Sequence, residues 1–154
     1  MSFIRVAQPA ARLRLRLHLL AFVLPLLILA GALLFLPSMS RGDLVPAAIG
    51  VVIAAQLSAL CCWPVLRRCR GTGATVCSGL AMGLLTHLFF GPAMGVAAWL
   101  CANGAMTLRL ELLGIMAWVS VVSLLTAGWI SLPLAVAVAV HVRRFLAREC
   151  SHAR

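Results

Sequence analysis

Hydrophobic positions in this chain gather into four long stretches free of Asp, Glu, Lys and Arg: 17–36, 44–66, 76–101 and 112–142. A bilayer core about 30 Å thick needs about 20 apolar residues as α-helix, so each stretch is long enough to cross. Backbone amides and carbonyls have no water to bind inside lipid, so such stretches must satisfy themselves as helices. The pattern therefore predicts an all-α integral membrane protein with four transmembrane helices in one bundle. The connections are too short to fold as a soluble domain, and residues 1–154 read as a single membrane domain. The fourth stretch, at 31 residues, would extend about 46 Å as a helix. Dividing it into two crossings needs a charged loop near Ser131, and none is there, so one helix that tilts or bends at Pro133 is expected.

Turn-forming residues punctuate the stretches. Pro25 predicts a bend in the first span, and Pro37-Ser38 its end. Ser40-Arg41-Gly42-Asp43 reads as a tight turn, followed by a second helix that opens around Val45-Pro46. Trp63, just before Arg67 and Arg68, suits the aromatic belt of a membrane interface, and Gly71-Thr72-Gly73 reads as a flexible turn into the third span.

Charge then orients the bundle. The chain has thirteen arginines and no lysine. Arg5, Arg12, Arg14 and Arg16 precede the first span, Arg67, Arg68 and Arg70 lie between the second and third, and Arg143, Arg144, Arg148 and Arg154 follow the fourth. The other two loops hold only Arg41, beside Asp43, and Arg109, near Glu111. Because cytoplasmic loops retain basic residues, both termini and the middle loop are expected in the cytoplasm. The net charge of +10 would suggest a nucleic-acid partner in a soluble protein. Here the arginines flank span ends, where orientation and anionic headgroups account for them, so the bilayer is the expected partner and nucleic acid is not. Twenty apolar residues exceed the usual signal-peptide core, so the first span reads as a retained anchor. Heavy use of Ala, Leu, Arg and Val without lysine fits a GC-rich bacterial genome, and with it a bacterial inner membrane.

The third span carries an unusual spacing. Every fourth residue from Gly79 gives Gly79, Gly83, His87, Gly91, Gly95 and Trp99. Residues four apart form one ridge of a helix, so two small-residue close-approach motifs flank an imidazole. Pro92 lacks the amide that would serve the carbonyl of Leu88, leaving a polar acceptor one residue from His87. The ridge drifts around the helix, so it need not meet one partner. Two readings follow: the glycines seat a neighbouring helix or a second copy while His87 bonds a carbonyl or hydroxyl, or His87 is an intramembrane functional group, with Gln56 of the second span beside it on a polar path. Ser120, Ser123, Thr126 and Ser131 of the fourth span are natural hydrogen-bonding glue.

Cofactor chemistry finds little to build on. Bis-histidine haem ligation needs two imidazoles at one depth, and His18 with His141 is the pair that meets that condition; at the headgroup level both also read as interfacial residues. Cys61, Cys62, Cys69 and Cys77 cluster around the cytoplasmic end of spans two and three, a reducing compartment where disulfides are not expected, while Cys101 lies alone near the other face. The vicinal Cys61-Cys62 pair, with Pro64 and Cys69 after it, resembles bacterial mercuric-ion transport proteins over residues 61–77. That resemblance would imply soft-metal handling by thiolates. In that family, however, the pair lies in the first membrane helix and the second cysteine pair is closer spaced. Neither a cofactor nor a metal is therefore assigned.

Asp43, Glu111 and Glu149 all lie outside the spans, and no nucleophile elbow, zinc motif or phosphate loop is present, so the chain is not expected to be an enzyme and no catalytic residue is named. The leading expectation is a non-catalytic protein acting through helix packing, as an accessory or assembly subunit or a regulator, bound to another membrane protein or to itself as a homodimer. The alternative is a small transporter or channel, dimeric in one version, with a path near His87 and Gln56.

Overall fold

The structure, a computed structural model, describes residues 3–35, 41–68, 71–101 and 110–152. Those residues form four helices and no strand: α1 (Phe3–Phe35), α2 (Arg41–Arg68), α3 (Thr72–Cys101) and α4 (Leu110–His152). Within them lie four segments long and apolar enough to cross a membrane: Leu13–Gly31, Leu44–Arg68, Thr72–Cys101 and Leu113–Phe145. Large apolar side chains cover the outside. Leu125 and Trp129 are 74% and 72% exposed, an outer surface suited to lipid and unsuited to water. The chain is a multi-pass membrane protein.

The helices overrun the apolar stretches at most ends. α1 begins fourteen residues ahead of the first stretch, because arginine is a good helix former and its charge sets a membrane boundary without ending a helix. Arg41, Gly42 and Asp43 form the first turn of α2 in place of a tight loop, which puts Pro46 inside the helix. At the start of α3 the turn is shorter than Gly71-Thr72-Gly73. The carbonyl of Gly71 already accepts the amide of Thr75 at 3.1 Å and its hydroxyl at 2.9 Å, so Thr72 and Gly73 are helical. α4 passes through Pro133 as one continuous helix of 43 residues.

Packing is uneven. α3 sits between α2 and α4 and makes the most extensive contacts with both, whereas α1 leans on α2, touches α4 less and makes no close backbone approach to α3. The best-buried core lies at the arginine-rich end. Leu13 and Leu17 of α1 meet Ala59, Cys62, Trp63 and Leu66 of α2, Met82 of α3, and Ala139 and Val142 of α4. Trp63 belongs to this core, with the Arg67 guanidinium 6.0 Å from its ring. Arg16 lies 4.7 Å from the Phe145 ring, which also packs against His141. Beyond Leu17 no described side chain of α1 is fully buried.

Candidate functional site

α3 and α4 run antiparallel, and the glycine ridge is where they meet. A Cβ built on Gly79 would stand 2.6 Å from the Cα of Val136, and one on Gly83 would stand 2.7 Å from Cδ2 of Leu132. On Gly91 it would overlap the carbonyl oxygen of Met116, and on Gly95 the end of the Met116 side chain. One partner helix thus lies along the whole row, because Val136, Leu132 and Met116 step back along α4 as the glycines step forward. A fifth close approach has no repeated spacing to announce it: Gly50 of α2 lies against α3, 2.8 Å from a built Cβ to the Cα of Met94.

His87 is buried midway along this seam. Its Nδ1 lies 2.6 Å from Ser123 Oγ and its Nε2 2.6 Å from Ser131 Oγ, so both ring nitrogens are engaged by α4. Serines eight apart lie a little over two turns along the helix and about 80° apart around it, within one broad face that the imidazole can span. Gly128 lies between them, and a Cβ there would stand 4.0 Å from Nε2. A neutral imidazole donates from one nitrogen and accepts at the other. One serine therefore accepts from the ring and the other donates to it.

One turn further along, Ser120 repairs the break made by Pro92. The Ser120 hydroxyl donates to the carbonyl of Leu88 at 3.2 Å, the acceptor Pro92 leaves free, and accepts the amide of Gly91 at 3.1 Å. A double-mutant cycle tests this. Ser120→Ala should cost about 1 kcal/mol in the native background and distinctly less with Pro92→Ala, which returns a backbone donor to Leu88. Thermal midpoints of the four proteins in one detergent give the coupling, and its absence would remove Ser120 as the replacement donor.

Gln56 belongs to a separate cluster. It clasps α1 at two points, with its Oε1 2.7 Å from His18 Nδ1 and its Nε2 donating to the His18 carbonyl at 2.9 Å. Ser58 and Thr86 lie 2.7 Å apart across α2 and α3. Of the buried polar side chains among the described residues, Ser58, Thr75, His87 and Ser120 are hydrogen-bonded and Ser78 has no partner.

A partly open cavity of about 280 Å³ reaches His87, walled by apolar side chains of all four helices. Leu20, Leu24 and Ile28 of α1 form one side, and Ser58, Thr86, His87, Ser123, Thr126 and Ser131 supply its polar points. The thiols are spread out: Cys62 is in the core, while Cys61, Cys77 and Cys101 are exposed. Cys69 lies outside the described residues. Among the described residues no three of His, Cys, Asp and Glu converge. Comparison with protein families, curated proteins and solved structures found no match to this chain.

Proposed function

We propose that this chain is a small non-catalytic protein of a bacterial inner membrane that works through helix packing, as an accessory or assembly subunit or a regulator of a membrane complex. The observation that carries the reading is the double engagement of His87 by Ser123 and Ser131. An imidazole held at both nitrogens by hydroxyls fastens two helices together, and no Asp, Glu, Lys or Arg lines the cavity beside it to exchange a proton with it. The glycine contacts with α4 support the same role, since they spend the unusual spacing of α3 inside one chain. The exposed face of α4 at Trp118, Leu125 and Trp129 remains for lipid or a membrane partner.

His87→Gln tests it, because glutamine keeps a donor and an acceptor but does not titrate near neutral pH. The variant should complement a deletion strain at normal expression. A folded, well-expressed but inactive variant would sink the packing role.

The accompanying topology places both termini and the arginine-rich end in the cytoplasm. Cys69 and Cys150 should resist an impermeant thiol reagent in intact cells and react after permeabilisation. Labelling of Cys150 from outside would reverse the orientation.

A transporter or channel is the second reading, favoured by the cavity that reaches His87. Since Gln56 does not line that cavity, the path would run past Ser58, Thr86 and His87. Saturable proton-coupled flux in proteoliposomes would put this reading first.

A further inference from the structure

We infer that the cavity against His87 is a binding site for a small, uncharged, lipid-soluble molecule that presents one carbonyl acceptor, as the ring of a quinone does. The inference goes beyond a packing role, because it rests on space and donors that packing leaves over.

The Thr126 hydroxyl donates to the carbonyl of Val122 at 2.7 Å. Ser58 and Thr86 have two hydroxyl protons between them and three acceptors within reach: the Ala55 carbonyl, the Met82 carbonyl and each other. Neither has a proton to spare. Ser123 and Ser131 differ. Neutral His87 donates to one serine and accepts from the other, so in either tautomer one serine keeps a proton that no described group takes. The cavity thus offers one hydroxyl donor at a polar point in an otherwise apolar wall.

His87 is fifteen residues from Thr72 and fourteen from Cys101, the middle of α3. Phospholipid headgroups and their charges belong at the membrane boundary, and no Asp, Glu, Lys or Arg lines the cavity to compensate a charge brought inward. An occupant whose acceptor reaches this depth is itself hydrophobic and neutral. At about 280 Å³ the cavity lies at the small end of ligand pockets, suited to one substituted ring.

α1 makes no close backbone approach to α3, which it joins only through the core at the arginine-rich end, and the cavity lies between them, with Leu20, Leu24 and Ile28 as its α1 wall. The cavity is partly open, and α1, held chiefly at its arginine-rich end, can yield to widen it without the α3–α4 seam being broken.

The test uses the full chain in nanodiscs with decyl-benzoquinone as probe and decylbenzene, which lacks the carbonyls, as control. Saturable binding of the quinone, with a rise in thermal midpoint that decylbenzene does not give, is expected. Ser123→Ala with Ser131→Ala should weaken it about three- to tenfold, the loss of one hydrogen bond. Because that pair also touches the α3–α4 seam, Ala127→Leu provides a second variant, which narrows the cavity and leaves both serines in place; it should abolish binding. Methyl decanoate binding as tightly as the quinone would identify an acyl carbonyl as the acceptor taken. Equal binding of decylbenzene, no saturable binding, or unchanged affinity in both variants would overturn the site.

Discussion

Gly91→Ala is expected to cost about 3 kcal/mol or more, the upper end of the penalty for overpacking, by adding a single methyl group. That methyl would overlap the Met116 carbonyl oxygen and lie 2.5 Å from Ser120 Oγ, and neither a backbone atom nor a hydroxyl already bonded to α3 has a rotamer to retreat into. The helices must separate, and the Ser120 bonds go with them. Gly83→Ala should be milder, because its nearest obstacle is the end of the Leu132 side chain. Gly31 and Gly114 serve as controls, since a Cβ there meets nothing within 4 Å, and alanine should be neutral or slightly stabilising. Thermal midpoints in one detergent decide it. Gly91→Ala behaving like Gly114→Ala would mean that α3 and α4 do not meet as described.

Removing both serines, by Ser123→Ala with Ser131→Ala, should cost about 2 kcal/mol or more, beyond the roughly 0.6 kcal/mol average for one polar contact between membrane helices. The reason is what stays behind: an imidazole buried among apolar groups with neither nitrogen partnered. A third substitution, His87→Leu, should recover much of the loss, because replacing every member of a polar cluster by apolar groups leaves nothing unsatisfied. A triple variant less stable than the double would show that His87 contributes by shape and not through its two hydroxyl partners. Denaturation in detergent, followed by tryptophan fluorescence to which the buried Trp63 contributes, compares all three proteins.

The four helices were legible because lipid imposes one rule on long uncharged stretches, and that rule leaves little choice of secondary structure. Their ends were less so. Arg12, Arg14 and Arg16 mark where α1 leaves the apolar zone but do nothing to stop its helix, and the Arg41-Gly42-Asp43 turn is helical despite its composition. The spacing of Gly79, Gly83, Gly91 and Gly95 was visible at once. Its partner was not, because a row of small residues says where another helix fits without saying which one. Gly50 gave no pattern at all. That His87 would bond a carbonyl or one of the hydroxyls was legible, but not that Ser123 and Ser131 would be the two. Their separation by two turns, with Ala127 and Gly128 between them, was the available signal, and it becomes meaningful only when an imidazole is known to lie opposite.

The core at the arginine-rich end sets an order for biosynthesis. It joins Leu13 and Leu17 of α1 to Ala139 and Val142 of α4, so it cannot close until α4 has left the ribosome. α1, made before the other three, is therefore among the last to find its full set of neighbours. Until then its hold on the growing protein is α2, through contacts such as the His18–Gln56 clasp. Nascent chains that stop before α4 would leave α3 with its glycine row bare and α1 without Val142, a partner-seeking intermediate that quality-control proteases of the membrane are placed to remove.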